Sequence, residues 1–200
     1  MKKILVVMLV IVMMFSITAC NEKQTTDPEQ NNTGEINIPG VNFVDKAFGY
    51  ITISVPDVFG EVEEKDGMYV CAGPAASIVV TPTLGMDIMY EEWDESLTGE
   101  YIQMIYGSTY TDIELSAYEG DVDMNGNQAI YYACYGKNAE GIDRLLQVVR
   151  IYNADMNAQY MITLTHTSGD EFFTAEVGGA IINSITLSDE AQHLKAQGEY

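Results

Sequence analysis

Basic residues are scarce in this sequence. Only 9 Lys and Arg residues stand against 30 Asp and Glu residues, which gives a formal net charge of −21 at pH 7. A surface this acidic repels the phosphate backbone of nucleic acids and the anionic head groups of lipids. We therefore expect no nucleic-acid partner, and electrostatics favours a cation or a basic protein. The simpler interpretation is that the charge keeps the domain soluble.

Cysteine and histidine are also few, with 3 Cys and 2 His in 200 residues. None of them lies at the spacing of a zinc site. The chain has no Gly-x-Ser-x-Gly motif and no Gly-rich phosphate loop, and His166 has no evident partners for a catalytic triad. We therefore expect no enzymatic activity. A surface hydrolase with an unrecognised site is the alternative that the sequence leaves open.

The sequence has only one long apolar run, residues 4–15. This run follows Lys2 and Lys3 and precedes Ser-Ile-Thr-Ala. Counted through residue 19, the run has about 16 residues, fewer than the roughly 20 of a membrane-spanning helix. A basic start, a short apolar segment and small residues are typical of a secretory signal. An uncleaved anchor helix is the alternative.

The end of this run, Ile17-Thr18-Ala19-Cys20, resembles the lipobox of bacterial lipoproteins. The resemblance implies transfer of a diacylglyceryl group to the Cys20 thiol and cleavage before it. Two acyl chains anchor a protein stably, whereas one holds it only marginally. We therefore expect a lipid-anchored protein on the extracytoplasmic face of the cell membrane, with the membrane as a partner through Cys20.

Composition divides the chain into four predicted segments. Residues 1–19 form the signal peptide, and residues 20–40 comprise the lipidated cysteine and a flexible polar tether that cannot bury enough surface to fold. Residues 41–187 form a single α+β domain, and residues 188–200 form a polar C-terminal tail. After cleavage of the signal, 7 basic residues would face 30 acidic ones, a net charge of −23.

Alternating apolar and polar residues dominate from residue 41 onward and predict strands. The predicted strands are 50–55, 68–72, 77–81, 111–117, 118–124, 129–135, 144–152, 159–167 and 184–187. Helical periodicity predicts two amphipathic helices, 87–106 and 171–183, the second with Ser168 and Glu171 as a capping box. Short links between consecutive strands predict an antiparallel meander packed with the two helices, an α+β fold.

The order of these elements resembles the PsbP-like fold, which is named after an extrinsic subunit of photosystem II. The stretches that carry the resemblance are "GYITISVP", "GNQAIYYACY", "RLLQVVRIYN", "AQYMITLTHT" and "IINSITL", within residues 43–187. The resemblance implies an antiparallel sheet packed between helices. It also implies a non-catalytic protein that binds partners or helps to assemble them. No residue here supports carrying over the photosynthetic role.

One short motif could hold a metal ion. Asp121, Asp123 and Asn125, followed by Gly126, match the first half of a calcium-binding loop, whose oxygen ligands Ca²⁺ prefers. The second half does not match, because Tyr132 replaces the final Glu. Asn-Gly between two strands is also the favoured type I′ hairpin turn. The motif therefore predicts a hairpin, with a weak calcium site and a Ca²⁺-dependent binding or adhesion module as the alternative.

Two cysteines, Cys71 and Cys134, are left to the folded domain once Cys20 is lipidated. Both fall in predicted strands, and an extracytoplasmic location permits disulfides. A bond between them would close a loop of roughly 60 residues, worth about 4 kcal/mol in the entropic description. A Cys71–Cys134 disulfide and a pair of buried thiols are both open at this stage.

Overall fold

The computed structural model of the protein describes residues 38–84, 93–153 and 158–187. Two antiparallel β-sheets and two α-helices make up this part of the chain, which confirms the predicted α+β class. The strands are β1 (Phe43–Phe48), β2 (Ile51–Pro56), β3 (Glu63–Lys65), β4 (Met68–Ala72), β5 (Ala76–Leu84), β6 (Thr111–Met124), β7 (Asn127–Lys137), β8 (Asp143–Asn153), β9 (Ala158–Thr167) and β10 (Thr186–Leu187). The helices are α1 (Glu95–Tyr106) and α2 (Ala175–Asn183).

The predicted N- and C-terminal segments fall outside these ranges. The signal peptide, Cys20, most of the tether and the C-terminal tail are not among the described residues, so these assignments stay predictions. Ile38 forms an isolated antiparallel bridge with Val41 and packs against the core, so the described fold includes residues just before the expected boundary at 41. Neither described helix is long and apolar enough to cross a membrane.

The larger sheet has seven strands in the order β3-β4-β5-β9-β8-β7-β6, with antiparallel neighbours throughout. Strands β6 to β9 follow one another as the predicted meander, because their turns are short enough for consecutive strands to pair. Strands β3 to β5 form a second meander. The β5–β9 pair joins the two, with Ala76 opposite His166 at one end.

Strand β6 differs from its prediction. The two expected strands, 111–117 and 118–124, are one continuous strand of 14 residues at the edge of the larger sheet. Its pairing with β7 shifts register three times, between Thr111 and Glu114, between Leu115 and Ala117, and between Glu119 and Val122. Such bulges bend and twist a strand without ending it, which explains why the sequence pattern reads as interrupted.

The smaller sheet has three strands in the order β1-β2-β10. Its central strand β2 alternates as predicted, with Ile51, Ile53 and Val55 buried. Strand β10 confirms the expected last strand, and Leu187 pairs with Ile51. Strand β1 was not predicted, because its sequence FVDKAF places charged residues in the middle of the strand.

Both helices begin at a side-chain cap, although neither begins where the sequence predicts. Asp94 caps α1 by accepting a hydrogen bond from the Leu97 N–H at 2.8 Å, and residues 87–92 of the predicted helix lie outside the described residues. The capping box at Ser168 and Glu171 is wrong. Thr174 caps α2 instead, because its hydroxyl accepts from the Val177 N–H at 3.3 Å.

Two apolar cores cover the two faces of the larger sheet. Alternate residues of one strand point to opposite faces, so Val149 of β8 lies in the first core and Val148 in the second. The first core is shared with α2 and the smaller sheet, and the second is shared with α1. Helix α1 and the pair formed by α2 and the smaller sheet therefore cover opposite faces, as a PsbP-like arrangement implies.

Candidate functional site

Asn125 and Gly126, the last two residues of the calcium-loop motif, form the turn between β6 and β7. Asn125 and Gly126 both have a positive φ, 51° and 86°, and Met124 pairs with Asn127, which is the geometry of a two-residue type I′ turn. The Gly126 N–H donates to Asp123 Oδ1 at 2.6 Å and rigidifies the turn. The predicted hairpin is confirmed.

The three calcium candidates lie at this turn. Asp121 and Asp123 are exposed beside a shallow hollow of about 260 Å³, but the Asn125 amide nitrogen donates to the Ile185 carbonyl at 2.6 Å. Among the described residues, no group of three or more His, Cys, Asp and Glu side chains is placed to hold a metal ion. The calcium site stays a prediction. A midpoint of thermal unfolding that rises with millimolar Ca²⁺ in the wild type, and not in Asp121→Ala, would support it.

The same hairpin continues an acidic surface along β6. We call the five carboxylates of this strand the acidic edge; they are Asp112, Glu114, Glu119, Asp121 and Asp123. Glu119 is half-buried and the others are exposed, and β6 contains no Lys or Arg. One cation from the neighbouring strand, Lys137 Nζ, lies 3.8 Å from Asp112 Oδ2. No strand among the described residues pairs with the outer side of β6. The acidic edge is therefore also an edge of the sheet, where backbone groups can pair with another strand.

The Cys71–Cys134 disulfide is not formed, and both thiols are free and buried. Cys71 lies on β4 in the first core, whereas Cys134 lies on β7 in the second core, on the opposite face of the sheet. The two strands are four positions apart, about 19 Å at the usual strand spacing, and a disulfide needs Cα atoms within about 7 Å. Burial raises the pKa of the Cys134 thiol to about 12.

His166 lies near the end of β9, as expected, and is only 3% exposed. Its ring packs on Phe173 with centroids 5.1 Å apart, and Nδ1 lies 3.2 Å from the Thr167 carbonyl. Burial lowers the pKa of His166, the backbone bond to Thr167 and the charge of Asp170 raise it, and Arg144 lowers it. The imidazole is therefore buried against an aromatic ring, and its Nε2 makes no hydrogen bond to a described residue.

Arg150 is a candidate binding residue that the sequence analysis missed. It is one of only two arginines in the chain, and it sits within the apolar strand β8 with 7% exposure. Its guanidinium lies over the ring of Trp93, with 3.8 Å from Cζ to the ring centroid, and 5.0 Å from that of Tyr101. An arginine inside the run RLLQVVRIYN is the sequence signal that could have drawn attention to it.

The two rings beside Arg150 belong to Trp93, just before α1, and to Tyr101, within α1, and contacts with the sheet hold both in place. The Tyr118 hydroxyl donates to the Trp93 carbonyl at 3.1 Å, which ties the chain before α1 to β6. The Trp93 and Tyr101 rings meet edge to face, with centroids 5.1 Å apart. Tyr101 in turn donates to Met161 Sδ on β9 at 3.8 Å. The rings that contact Arg150 are therefore fixed to two different strands of the sheet.

No protein-family model matches the sequence, and no curated protein matches it. Several solved structures have a fold similar to that of this chain. The Saccharomyces cerevisiae Ran-binding protein Mog1p has a TM-score of 0.53 and 14% identity over 76% of this chain and 98% of Mog1p. Cyanobacterial PsbP (CyanoP) from Synechocystis has a TM-score of 0.56 and 11% identity over 77% of this chain and 96% of CyanoP.

A third structure, LpqN of Mycobacterium tuberculosis, described as involved in cell envelope biogenesis, is more distant. Its TM-score is 0.45 and its identity 14%, over 74% of this chain and 92% of LpqN. The likeness to CyanoP and Mog1p confirms the predicted PsbP-like fold. At 11% and 14% identity this likeness concerns the fold alone.

Proposed function

We propose that the protein is a non-catalytic accessory protein of the cell envelope, anchored through lipidated Cys20, that binds a basic protein partner. The observation that carries the binding role is the acidic edge, where five carboxylates line one 14-residue edge strand. An edge strand offers backbone donors and acceptors to an added strand, and its charge selects partners of the opposite sign.

Two further observations support a binding role over catalysis. His166 is buried and its ring packs at a tilt against Phe173, an environment that suits a core residue. The fold is shared with a protein described as Ran-binding, so a protein with this architecture can act by binding another protein. For the anchor, the support is the sequence Ile17-Thr18-Ala19-Cys20 after a basic start and a short apolar run.

Charge neutralisation tests the binding role. In the edge variant, Glu114→Gln, Asp121→Asn and Asp123→Asn remove three exposed carboxylates of β6. In the matched control, Glu63→Gln, Glu64→Gln and Asp66→Asn remove three exposed carboxylates at and beside β3, the opposite edge of the same sheet.

The measurement is binding of a lysine-rich peptide to the full chain by isothermal titration calorimetry at two salt concentrations. We expect the edge variant to bind about tenfold more weakly, with less dependence on salt, and the control to bind nearly like the wild type. Equal losses in the two variants would show that only net charge matters and would contradict a binding edge.

The anchor is tested separately with Cys20→Ser. The wild-type chain should partition with membranes and yield an N-terminal peptide carrying acyl chains on Cys20. The variant should stay an unprocessed precursor or be released from the membrane. A Cys20→Ser chain that is processed and membrane-bound like the wild type would show that Cys20 is not the anchor.

A further inference from the structure

Arg150 is a buried cation in a protein with few cations. Its side chain lies in the second core, where Trp93 and Tyr101 cover the guanidinium. Nη2 donates to Gln159 Oε1 at 2.7 Å. Within the described ranges the ion pairs are Lys46 with Glu61 and Lys137 with Asp112, so no described carboxylate balances the charge of Arg150. Buried charges in proteins are normally paired.

Three buried polar atoms of this cluster make no hydrogen bond of ordinary geometry to a described residue. They are Nη1 of Arg150, Nε1 of Trp93 and the hydroxyl oxygen of Tyr132. The Tyr132 hydroxyl lies beside that of Tyr106, which can donate to it and so leave the Tyr132 O–H free to donate elsewhere. Arginine and tryptophan nitrogens can only donate, so whatever satisfies them must be an acceptor. Leaving a buried donor unsatisfied costs about 1–3 kcal/mol, more for a charged group. The cation–π stack explains the position of the guanidinium, but it provides no acceptor for Nη1.

The surrounding tyrosines do not supply the missing negative charge. Burial raises the pKa of Tyr106 to about 12 and raises the pKa of Tyr132 well above its usual value, so both phenols are neutral at pH 7. Burial lowers the pKa of Arg150, but an arginine stays protonated in proteins. The cluster therefore holds a net positive charge together with three unused donors.

Tyr132 is well placed to share a ligand with Arg150. Ile130 of β7 pairs directly with Arg150 of β8, and Tyr132 lies two residues further along β7 on the same face. Diagonal neighbours of this kind are about 7–8 Å apart at Cα, within reach of two long side chains. Trp93 belongs to the same core as Tyr132, and its ring lies against the guanidinium.

We infer that Arg150, Trp93 and Tyr132 form a buried binding site for a small monovalent anion, a halide or a single carboxylate. Such an anion accepts hydrogen bonds from all three donors and neutralises the guanidinium. It would also hold α1 against the sheet, because Trp93 immediately precedes the helix and Arg150 belongs to β8.

The single tryptophan of the sequence makes the test direct. Trp93 is the only tryptophan in the chain, so fluorescence excited at a wavelength that the 13 tyrosines do not absorb reports on this cluster alone. The full chain is titrated with sodium chloride and with sodium acetate, each at constant ionic strength set with sodium sulfate. We expect a saturable change in Trp93 emission with at least one of the two anions. A response to chloride identifies a halide site, and a response to acetate a carboxylate site.

Three variants show whether the response arises at the proposed donors. Tyr132→Phe removes one donor and keeps the ring, and should weaken anion binding about tenfold. Arg150→Met should abolish the response; if that variant does not fold, Tyr132→Phe decides alone. Arg144→Met is the matched control, because it removes the other arginine of β8, which bonds to Thr167 Oγ1 at 2.9 Å, and should respond like the wild type.

Two results would overturn the inference. One is a wild-type emission that does not change saturably with either anion up to about 100 mM, a concentration well above typical specific affinities. The other is a saturable change with the same midpoint in the wild type and in Tyr132→Phe.

Discussion

At the scale of single residues, His166 is a titratable side chain that the fold holds away from water. Because burial lowers its pKa in the folded state below the ordinary value of about 6.5, the unfolded chain binds the proton more readily. The stability that His166 contributes is therefore present above about pH 6.5 and is lost as the pH falls.

The free energy of unfolding of the wild type should accordingly fall relative to that of His166→Phe between pH 7 and pH 5. His166→Gln is the control, because it keeps a polar group but does not titrate, so its pH dependence should match that of His166→Phe. Urea unfolding at each pH provides the measurement. Parallel curves for the wild type and both variants would show that burial does not shift this histidine.

Two glycines at which an added Cβ would meet no other atom within 4 Å allow a prediction with opposite signs for the same substitution. Gly126 has φ of 86° in the hairpin turn, so Gly126→Ala should destabilise the protein by about 1–2 kcal/mol. Gly99 lies inside α1, and an added Cβ there would meet nothing within 4 Å. Gly99→Ala should therefore stabilise by about 0.5–1 kcal/mol. Thermal unfolding compares both variants with the wild type, and equal signs would contradict the turn geometry.

Some features of single residues can be predicted from the sequence, and others cannot. The Asn-Gly turn was predictable, because a two-residue hairpin needs positive φ at both positions and these two residues tolerate it. The sequence could not decide between a Cys71–Cys134 disulfide and two buried thiols, because spacing along the chain does not determine which face of a sheet a cysteine occupies. Arg150 was missed for a related reason, since its environment depends on what α1 places over β8.

At the scale of elements, the strands with regular alternation were predicted well. Met68–Ala72 is a strand with the predicted bounds, because alternation is a local property of the sequence. Strand β3, EEK, has no apolar residue and is formed only by pairing with β4. The pairing of β5 with β9 links distant parts of the chain, and no local pattern encodes it. The order of the elements along the chain could therefore be predicted from the sequence, whereas the order of the strands within the sheet could not.

The contact between β7 and the turn after α1 provides an element-scale prediction. A Cβ on Gly136 would lie 2.9 Å from the Tyr110 Cβ and 3.4 Å from the Ile113 Cβ, atoms that side-chain rotation cannot move away. Gly136→Ala should push this turn from the sheet and destabilise the protein by about 1–3 kcal/mol. Gly99→Ala again serves as the control. A Gly136→Ala protein as stable as the wild type would mean that Tyr110 does not pack on β7.

At the scale of the whole molecule, charge is the property that most restricts function. The net charge of −21 predicts on electrostatic grounds that nucleic acid is not a partner, and this charge follows from composition alone. The position of part of that charge along one edge strand was not readable, because it depends on β6 being one continuous strand at the end of the sheet. The proposed function rests on that placement.

The most direct test of the central claim is site-specific photo-crosslinking in intact cells. Glu114, exposed on the acidic edge, and Glu64, exposed on β3 at the opposite edge, are each replaced by p-benzoylphenylalanine in the full chain. We predict that position 114 crosslinks to one envelope protein through a basic segment, that high salt weakens this adduct, and that position 64 does not form it. The same adduct from both positions, or none from position 114, would contradict the account.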